Sequence, residues 1–164
     1  MKFFRFTAAA LLALSLSSPV SAAALKGQPA PPFKVTTTSG QQVTLDNYRG
    51  RVLILDFFAS WCPPCKESVP HLAALAARYA GRDVHVLGIG MDDSEAPLRE
   101  FAAEARVPYP VALGSEALAS RYGVRSIPTL FVIDRKGTVV GSFLGFSADT
   151  AKAMEGALRR ALAR

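Results

Sequence analysis

The sequence is poor in metal-binding side chains. Its 164 residues contain two cysteines, Cys62 and Cys65, and two histidines, His71 and His85. Zinc sites use cysteines and histidines at characteristic spacings, and the spacings of these four residues match none of them. His85 also falls on a different predicted element from the cysteines. We therefore predict no metal site and expect both histidines to be packed or solvated. Because no Met or His cluster supplies further soft ligands, the sequence also disfavours a copper-binding chaperone.

The sequence also lacks a cluster of basic residues and, beyond its N-terminus, any long apolar segment. The formal net charge of +6 is spread along the chain, with one local group at Arg159, Arg160 and Arg164. Basic residues at a helix C-terminus complement the helix dipole, which explains that group. Nucleic-acid binding is therefore not expected. No segment after the N-terminal region is long and apolar enough to cross a membrane.

The first 22 residues have the three-part pattern of a secretory signal peptide. Lys2 and Arg5 form a positive region, residues 6–16 form an uncharged apolar core, and small residues follow as far as Ala24. The core is shorter than the roughly 20 residues that span a bilayer, which favours cleavage after residue 22 or 24 over an uncleaved anchor. With no cysteine near the cut, a lipid anchor on cysteine is excluded. We expect an exported protein that is soluble after cleavage.

The mature chain has the length of one domain. Residues 23–32 are rich in proline and predict an extended N-terminal arm, whereas residues 33–164 form the domain. Asp92, Asp93 and Glu95 are interpreted as the start of a helix rather than a calcium loop. The predicted elements are strands 34–38 and 42–45, strand 51–59, helix 64–80, strand 84–90, a helix from 92, strand 111–113, helix 115–122, strands 129–134 and 138–144, and helix 147–162. This order predicts an α/β fold with a mixed central sheet flanked by helices.

The cysteine pair lies where a buried strand meets a helix. Cross-linking gains most from long loops, so a Cys-x-x-Cys pair is a poor structural staple. Cys62 is predicted at the helix N-terminus, where free N–H groups and the helix dipole favour the thiolate. A thiolate is the nucleophile in disulfide exchange. We expect Cys62 to be the more exposed attacking residue and Cys65 to be the shielded residue that resolves the mixed disulfide.

Two prolines separate the cysteines. Pro64 is tolerated in a first helical turn because its missing N–H has no partner there. Pro63 removes another donor, so the Cys65 amide is one of the few N–H groups left near the Cys62 sulfur. Both prolines fix their φ angles and stiffen the turn. We assign them to the substrate-facing surface, together with Trp61, which is expected to line a substrate groove; simple packing is the alternative for Trp61.

The segment "DFFASWCPPC", followed later by "VRSIPTLFVIDRKG", resembles the thioredoxin superfamily. The N-terminal hairpin, the exported context and an insertion at residues 91–113 are similar to its TlpA/ResA-type branch. The resemblance runs from about residue 29 to the C-terminus. It implies a thioredoxin fold with an added hairpin and a central insertion, no cofactor, and a periplasmic thiol–disulfide reductase. Some members of that branch serve cytochrome c maturation or copper-centre assembly.

The same resemblance implies roles for individual residues. Pro128 is expected to follow a cis peptide bond and to face the cysteine pair, and Ile127 to offer backbone hydrogen bonds to an extended substrate. Many members of the branch have a glutamate three residues after the second cysteine. Here that position is Ser68, while Glu67 lies one step earlier and is rotated about 100° around the helix. This departure weakens the assignment to cytochrome maturation.

Asp56 lies six residues before Cys62, within the apolar strand. Desolvation of a buried carboxyl raises its pKa. We expect Asp56 to accept the proton of Cys65 as that thiol attacks the mixed disulfide; thioredoxin itself also has an aspartate at the matching position. The alternative is a buried aspartate that caps a neighbouring backbone group.

The leading prediction is a protein-disulfide reductase, expected to act as a monomer and to be re-reduced by a membrane electron-transfer protein. An oxidase or isomerase using the same site is the alternative. A peroxidase is disfavoured because peroxiredoxins require Pro-x-x-x-Thr-x-x-Cys, and the corresponding positions are Leu55 and Ala59.

Overall fold

A five-stranded mixed sheet forms the centre of the molecule in a computed structural model, which describes residues 22–163. The predicted signal peptide lies outside the described residues, apart from Ala22. The strands are β3 (Val52–Phe58), β4 (Val84–Gly90), β5 (Val111–Leu113), β6 (Thr129–Ile133) and β7 (Val139–Leu144), in the order β5-β4-β3-β6-β7. β3, β4 and β5 are parallel, whereas β6 is antiparallel to β3 and β7. The predicted mixed sheet is confirmed.

The N-terminal segments cover both edges of this sheet. A hairpin of β1 (Lys34–Thr36) and β2 (Gln42–Thr44) is joined to β5 by a bridge between Thr37 and Ala112. The arm before it begins with a 3₁₀ turn at Ala22–Leu25 and then runs beside β7, where the Gly27 amide donates to the Val139 carbonyl at 2.7 Å. Both arrangements occupy edge positions that would otherwise be free to pair with another chain.

In the described part of the chain, four α-helices flank the sheet: α1 (Pro63–Arg78), α2 (Glu95–Glu104), α3 (Glu116–Arg121) and α4 (Ala148–Leu162). α1 begins one residue before its predicted start. The Ser115 hydroxyl accepts a hydrogen bond from the Leu118 amide at 3.2 Å, which is the predicted N-terminal cap of α3. Within residues 22–163, no helix combines the length and the apolar character needed to cross a membrane.

Strand β3 is buried along its whole length and separates two packed layers. Alternate side chains of a strand point to opposite faces. Leu53, Leu55 and Phe57 pack beneath the arm, the hairpin and α3. Ile54 and Phe58 pack with α1, α2 and α4 on the other side, which we call the helix face. The alternation places the Asp56 side chain on the helix face too.

Candidate active site

Cys62 and Cys65 form a disulfide at the start of α1, with their Cα atoms 5.3 Å apart. Cys62 is the N-cap residue, and Pro63 and Pro64 are the first two helical residues. Cys62 is 3% exposed and Cys65 is fully buried. Cys62 is therefore the more exposed of the two, as predicted, but the difference is small in this disulfide-bonded state. Both cysteines pack into the helix-face core.

Backbone hydrogen bonds hold the turn between the cysteines. The Cys65 amide donates to the Cys62 carbonyl oxygen at 3.1 Å, and the Lys66 amide donates to the same oxygen at 3.3 Å. The Cys65 amide therefore binds a carbonyl rather than the Cys62 sulfur, which corrects the expectation from sequence. With prolines at the first two helical positions, the helix dipole is the principal means by which α1 can stabilise a Cys62 thiolate.

Asp56 is fully buried, and burial raises its pKa from 3.8 to about 7. Neither carboxyl oxygen has a hydrogen-bond partner among the described residues. The alternative interpretation, in which Asp56 caps a backbone group, therefore finds no support. A carboxyl with a pKa near neutrality on the helix face, in the layer that contains both cysteines, is suited to exchange protons at physiological pH.

An open groove of about 470 Å³ is lined at one point by Trp61, the residue directly before Cys62. Trp61, which is 65% exposed, forms part of its wall, and Ile127 and Met91 line it as well. The Ile127–Pro128 peptide bond is cis, as the resemblance implied. Pro128 is buried at the start of β6, directly before Thr129, which pairs with Phe57 near the end of β3. The sheet thus brings Ile127 and Pro128 to the edge at which the cysteine turn begins.

Ser68 and Glu67 point in different directions from α1, as their separation of about 100° around the helix predicts. Ser68 is fully buried, and its hydroxyl donates to the Cys65 carbonyl oxygen at 3.1 Å, whereas Glu67 is exposed. Glu67 therefore does not replace the missing acid next to the cysteines, whereas Asp56 is fully buried on the helix face.

The two histidines lie apart. Nε2 of His71 is 3.4 Å from a Glu155 carboxylate oxygen, and His85 packs edge-on against the Tyr48 ring. Residues 22–163 contain no group of three or more His, Cys, Asp or Glu side chains arranged to hold a metal ion.

Asp92 is a site residue that the sequence prediction missed. We interpreted it as part of a helix start, but it is buried and accepts hydrogen bonds from the Ser60 amide, at 3.2 and 3.3 Å, and from the Ser60 hydroxyl. Ser60 lies two residues before Cys62. The available signal was topological: β3 and β4 are parallel, so the residues that follow them meet at one edge of the sheet.

Removing the Asp92 carboxylate is expected to destabilise the cysteine turn. In Asp92→Ala, the Ser60 amide and hydroxyl lose their acceptor, which should cost about 1–3 kcal/mol in the free energy of unfolding. Urea denaturation of the oxidised protein measures this cost. Asp93→Ala is the matched control, since Asp93 is exposed. Equal stability of the two variants would show that the contact does not support the turn.

A scan of family models matches residues 26–142 to the AhpC/TSA family. Among curated proteins, the chain is 30% identical over 135 residues to the thiol-disulfide oxidoreductase ResA of Bacillus anthracis, covering 82% of this chain and 77% of that protein. It is 32% identical over 122 residues to the thioredoxin-like protein YneN of Bacillus subtilis, covering 73% and 72%.

The chain is also similar to solved structures of thiol–disulfide exchange proteins. A thiol:disulfide interchange protein DsbE from Chlorobium tepidum is similar with a TM-score of 0.79 and 33% identity, covering 84% of this chain and 97% of that one. A protein disulfide isomerase from Bacteroides thetaiotaomicron matches with a TM-score of 0.78 and 28% identity, covering 85% and 91%. These matches confirm the predicted thioredoxin-type fold with its N-terminal hairpin.

Proposed function

The chain belongs to the AhpC/TSA family and is a TlpA/ResA-like thiol–disulfide oxidoreductase of the thioredoxin superfamily, and from this premise we propose that it reduces disulfides in exported proteins. One observation supports the proposal above all. The Cys62–Cys65 disulfide lies at a helix N-terminus, in the same layer as a buried carboxyl that has no hydrogen-bond partner and a pKa near neutrality.

The proposed reaction starts from the reduced pair. The Cys62 thiolate attacks one sulfur of the substrate disulfide; a Cys62–substrate disulfide forms, and the other substrate sulfur leaves as a thiolate and takes a proton from water. Cys65 then transfers its thiol proton to the Asp56 carboxylate and attacks the Cys62 sulfur. The Cys62–Cys65 bond forms, and the second substrate sulfur is released as a thiolate. The substrate gains two electrons, and the cysteine pair loses them.

The groove lined by Trp61 is the proposed substrate-binding surface. Trp61 offers an exposed aromatic wall. We assign to Ile127, which lines the same groove just before β6, backbone hydrogen bonds to an extended substrate segment. Pro63 and Pro64 are exposed beside the buried Cys62, so an approaching protein contacts them on the way to the sulfur. Pro128 is assigned to the floor of this surface. We expect the substrates to be proteins that carry disulfides or reactive thiols.

The proposed direction of the reaction requires a source of electrons in the compartment to which the chain is exported. The predicted signal peptide would deliver the chain to the periplasm, where disulfides persist. A reductase in that compartment must be re-reduced after each turnover, and we propose a membrane electron-transfer protein as the electron donor. Cytochrome c maturation is one process in which such a reductase would serve, although Ser68 departs from the pattern of that subgroup.

In growing cells, the Cys62–Cys65 pair is expected to be mostly in the dithiol form. Acid quenching followed by alkylation with a mass-tagged reagent reports the ratio of dithiol to disulfide. The dithiol fraction should collapse when the membrane reductant is deleted. A pair that is mostly disulfide-bonded, and unaffected by loss of any membrane reductant, would favour the alternative, an oxidase or isomerase that uses the same site.

The family match alone does not decide between disulfide exchange and peroxide reduction. Leu55 and Ala59 occupy the positions where a peroxiredoxin needs proline and threonine, and both are buried apolar residues. Ala59, at the threonine position, has no hydroxyl group with which to bind a peroxide. We therefore retain disulfide exchange as the proposed reaction.

A further inference from the structure

Tyr109 is a buried titratable residue that the proposed reaction does not yet use. It lies in the segment between α2 and β5, and its side chain packs in the helix-face core with Cys62 and Cys65. The residue is 8% exposed, and its hydroxyl has no hydrogen-bond partner among the described residues. A buried hydroxyl without a partner is costly, so a specific reason for this tyrosine is expected.

The Tyr109 ring packs over Gly88, next to Asp56. Gly88 on β4 is the direct neighbour of Asp56 on β3. A Cβ atom added to Gly88 would lie 3.5 Å from Cε2 of Tyr109 and 2.9 Å from Cε1 of Phe58. The Phe58 and Tyr109 rings therefore both pack over the β4 position beside Asp56. Two buried polar groups without partners among the described residues, a carboxyl and a phenol, thus lie on the helix face of the sheet.

The surroundings of Asp56 offer few other polar partners. Its neighbour on β6 is Leu130, and α1 brings Cys65 and Ser68 into the same layer. Ser68 already donates to the Cys65 carbonyl oxygen. Cys65 and Tyr109 are titratable groups of this layer, and burial raises the pKa of Asp56 without a contribution from lysine or arginine. Burial, and then the negative charge of Asp56, raise the pKa of Tyr109, so its hydroxyl remains a donor.

We propose that Tyr109 is a positioning residue for the proton transfer, its hydroxyl donating a hydrogen bond to the Asp56 carboxylate through one water molecule. The proposal rests on the proposed role of Asp56 as the group that takes the Cys65 proton. A donor to the charged form of a carboxyl lowers its pKa. Tyr109 would thus partly offset the effect of burial and keep Asp56 ionised often enough to accept the proton, without introducing a positive charge into the layer.

The test is the pH dependence of the resolving step. A mixed disulfide on Cys62 is prepared with a thiol-reactive chromophore, and its release by Cys65 is followed from pH 5 to 9, the range that brackets the proposed titration. The rate of release should rise with pH as Asp56 ionises, and we call this rise the Asp56 limb of the pH–rate profile. In Tyr109→Phe, the Asp56 limb should move to higher pH by about one unit, which lowers the rate about tenfold on the acidic side. The Asp56→Asn variant should lack this limb. The double variant Asp56→Asn/Tyr109→Phe should have the same pH–rate profile as Asp56→Asn alone.

Tyr122→Phe is the matched control. Tyr122 is also a buried tyrosine, but it packs on the opposite face of the sheet and its hydroxyl donates to the Pro31 carbonyl oxygen at 2.7 Å. Its loss should lower stability and leave the pH profile in place. A Tyr109→Phe profile that superimposes on wild type, while Asp56→Asn loses its limb, would overturn the Tyr109 proposal and leave the role of Asp56 intact. An unchanged limb in Asp56→Asn would overturn both.

A second measurement needs no tyrosine substitution. In the wild-type protein, the ¹³Cζ resonance of Tyr109 should shift with the same apparent pKa as the Asp56 carboxyl carbon, because one group reports the charge of the other through the bridging water. This shift should be absent in Asp56→Asn. A Tyr109 resonance that does not respond while Asp56 titrates would overturn the proposal even if Tyr109→Phe failed to fold.

Discussion

Cys65→Ser is expected to stop turnover and to leave substrates covalently attached to Cys62. The resolving attack is intramolecular, and a well-oriented intramolecular group acts at an effective concentration of at least about 10⁵ M. External thiols at about 1 mM cannot replace it, so release of the substrate should slow by more than about 10³-fold. Affinity capture of the variant from its own cells under non-reducing conditions, followed by mass spectrometry, would identify the trapped proteins.

The control for this trap is Cys62→Ser/Cys65→Ser, which should recover no covalent partner. Cys62→Ser alone tests the order of attack, because Cys65 attacks only the Cys62 sulfur in the proposed reaction and should trap few proteins by itself. Recovery of no mixed disulfide from Cys65→Ser would contradict the exchange mechanism. Equal trapping by Cys62→Ser would contradict the assignment of Cys62 as the attacking residue.

Asp56→Asn is expected to make the oxidised protein more stable and less active at pH 8. Raising the pKa of a carboxyl from 3.8 to about 7 corresponds to about 4 kcal/mol. Because the folded protein holds this proton more tightly than the unfolded chain, stability from this group is fully present below pH 4. It is lost as the pH rises to about 7 and does not return above that. An uncharged Asn avoids the loss.

The stability difference between Asp56→Asn and wild type should therefore grow between about pH 4 and 7 and reach a few kcal/mol at pH 8. Urea denaturation across this range measures it. The resolving attack should slow by about 10²-fold, the usual contribution of a general base. Asp149→Asn, which removes an exposed acid from α4, is the control and should show neither effect. A difference that does not vary with pH would mean that Asp56 is ionised in the folded protein throughout this range.

Much of the fold was predictable because its elements carry strong local patterns. The apolar run at residues 51–59 predicts a strand buried on both faces, and β3 has every residue buried. Strand 84–90 and strand 111–113 coincide with β4 and β5, and serine caps mark the start of α3 and α4. Element ends were less accurate: α1 starts at Pro63 because proline is accepted at the first helical position.

The parts of the site that lie close together in sequence were predictable, and those assembled by tertiary contacts were not. The cysteine pair, its prolines and Asp56 fall within one short segment. Asp92 and Tyr109 lie far from that segment in sequence, and only the pairing of β3 with β4 brings them to it. The low exposure of Cys62 was also missed, because a residue at a helix start is expected to face solvent unless packing around it is known.

A single-turnover reaction of the fully reduced protein with a disulfide-bonded peptide tests the central claim most directly. Acid quenching, alkylation and mass analysis would follow every cysteine with time. We expect a transient peptide adduct on Cys62 alone, followed by one Cys62–Cys65 disulfide and one peptide dithiol for each chain consumed. An adduct that forms mainly on Cys65, or a peptide that stays oxidised while the pair stays reduced, would contradict that claim.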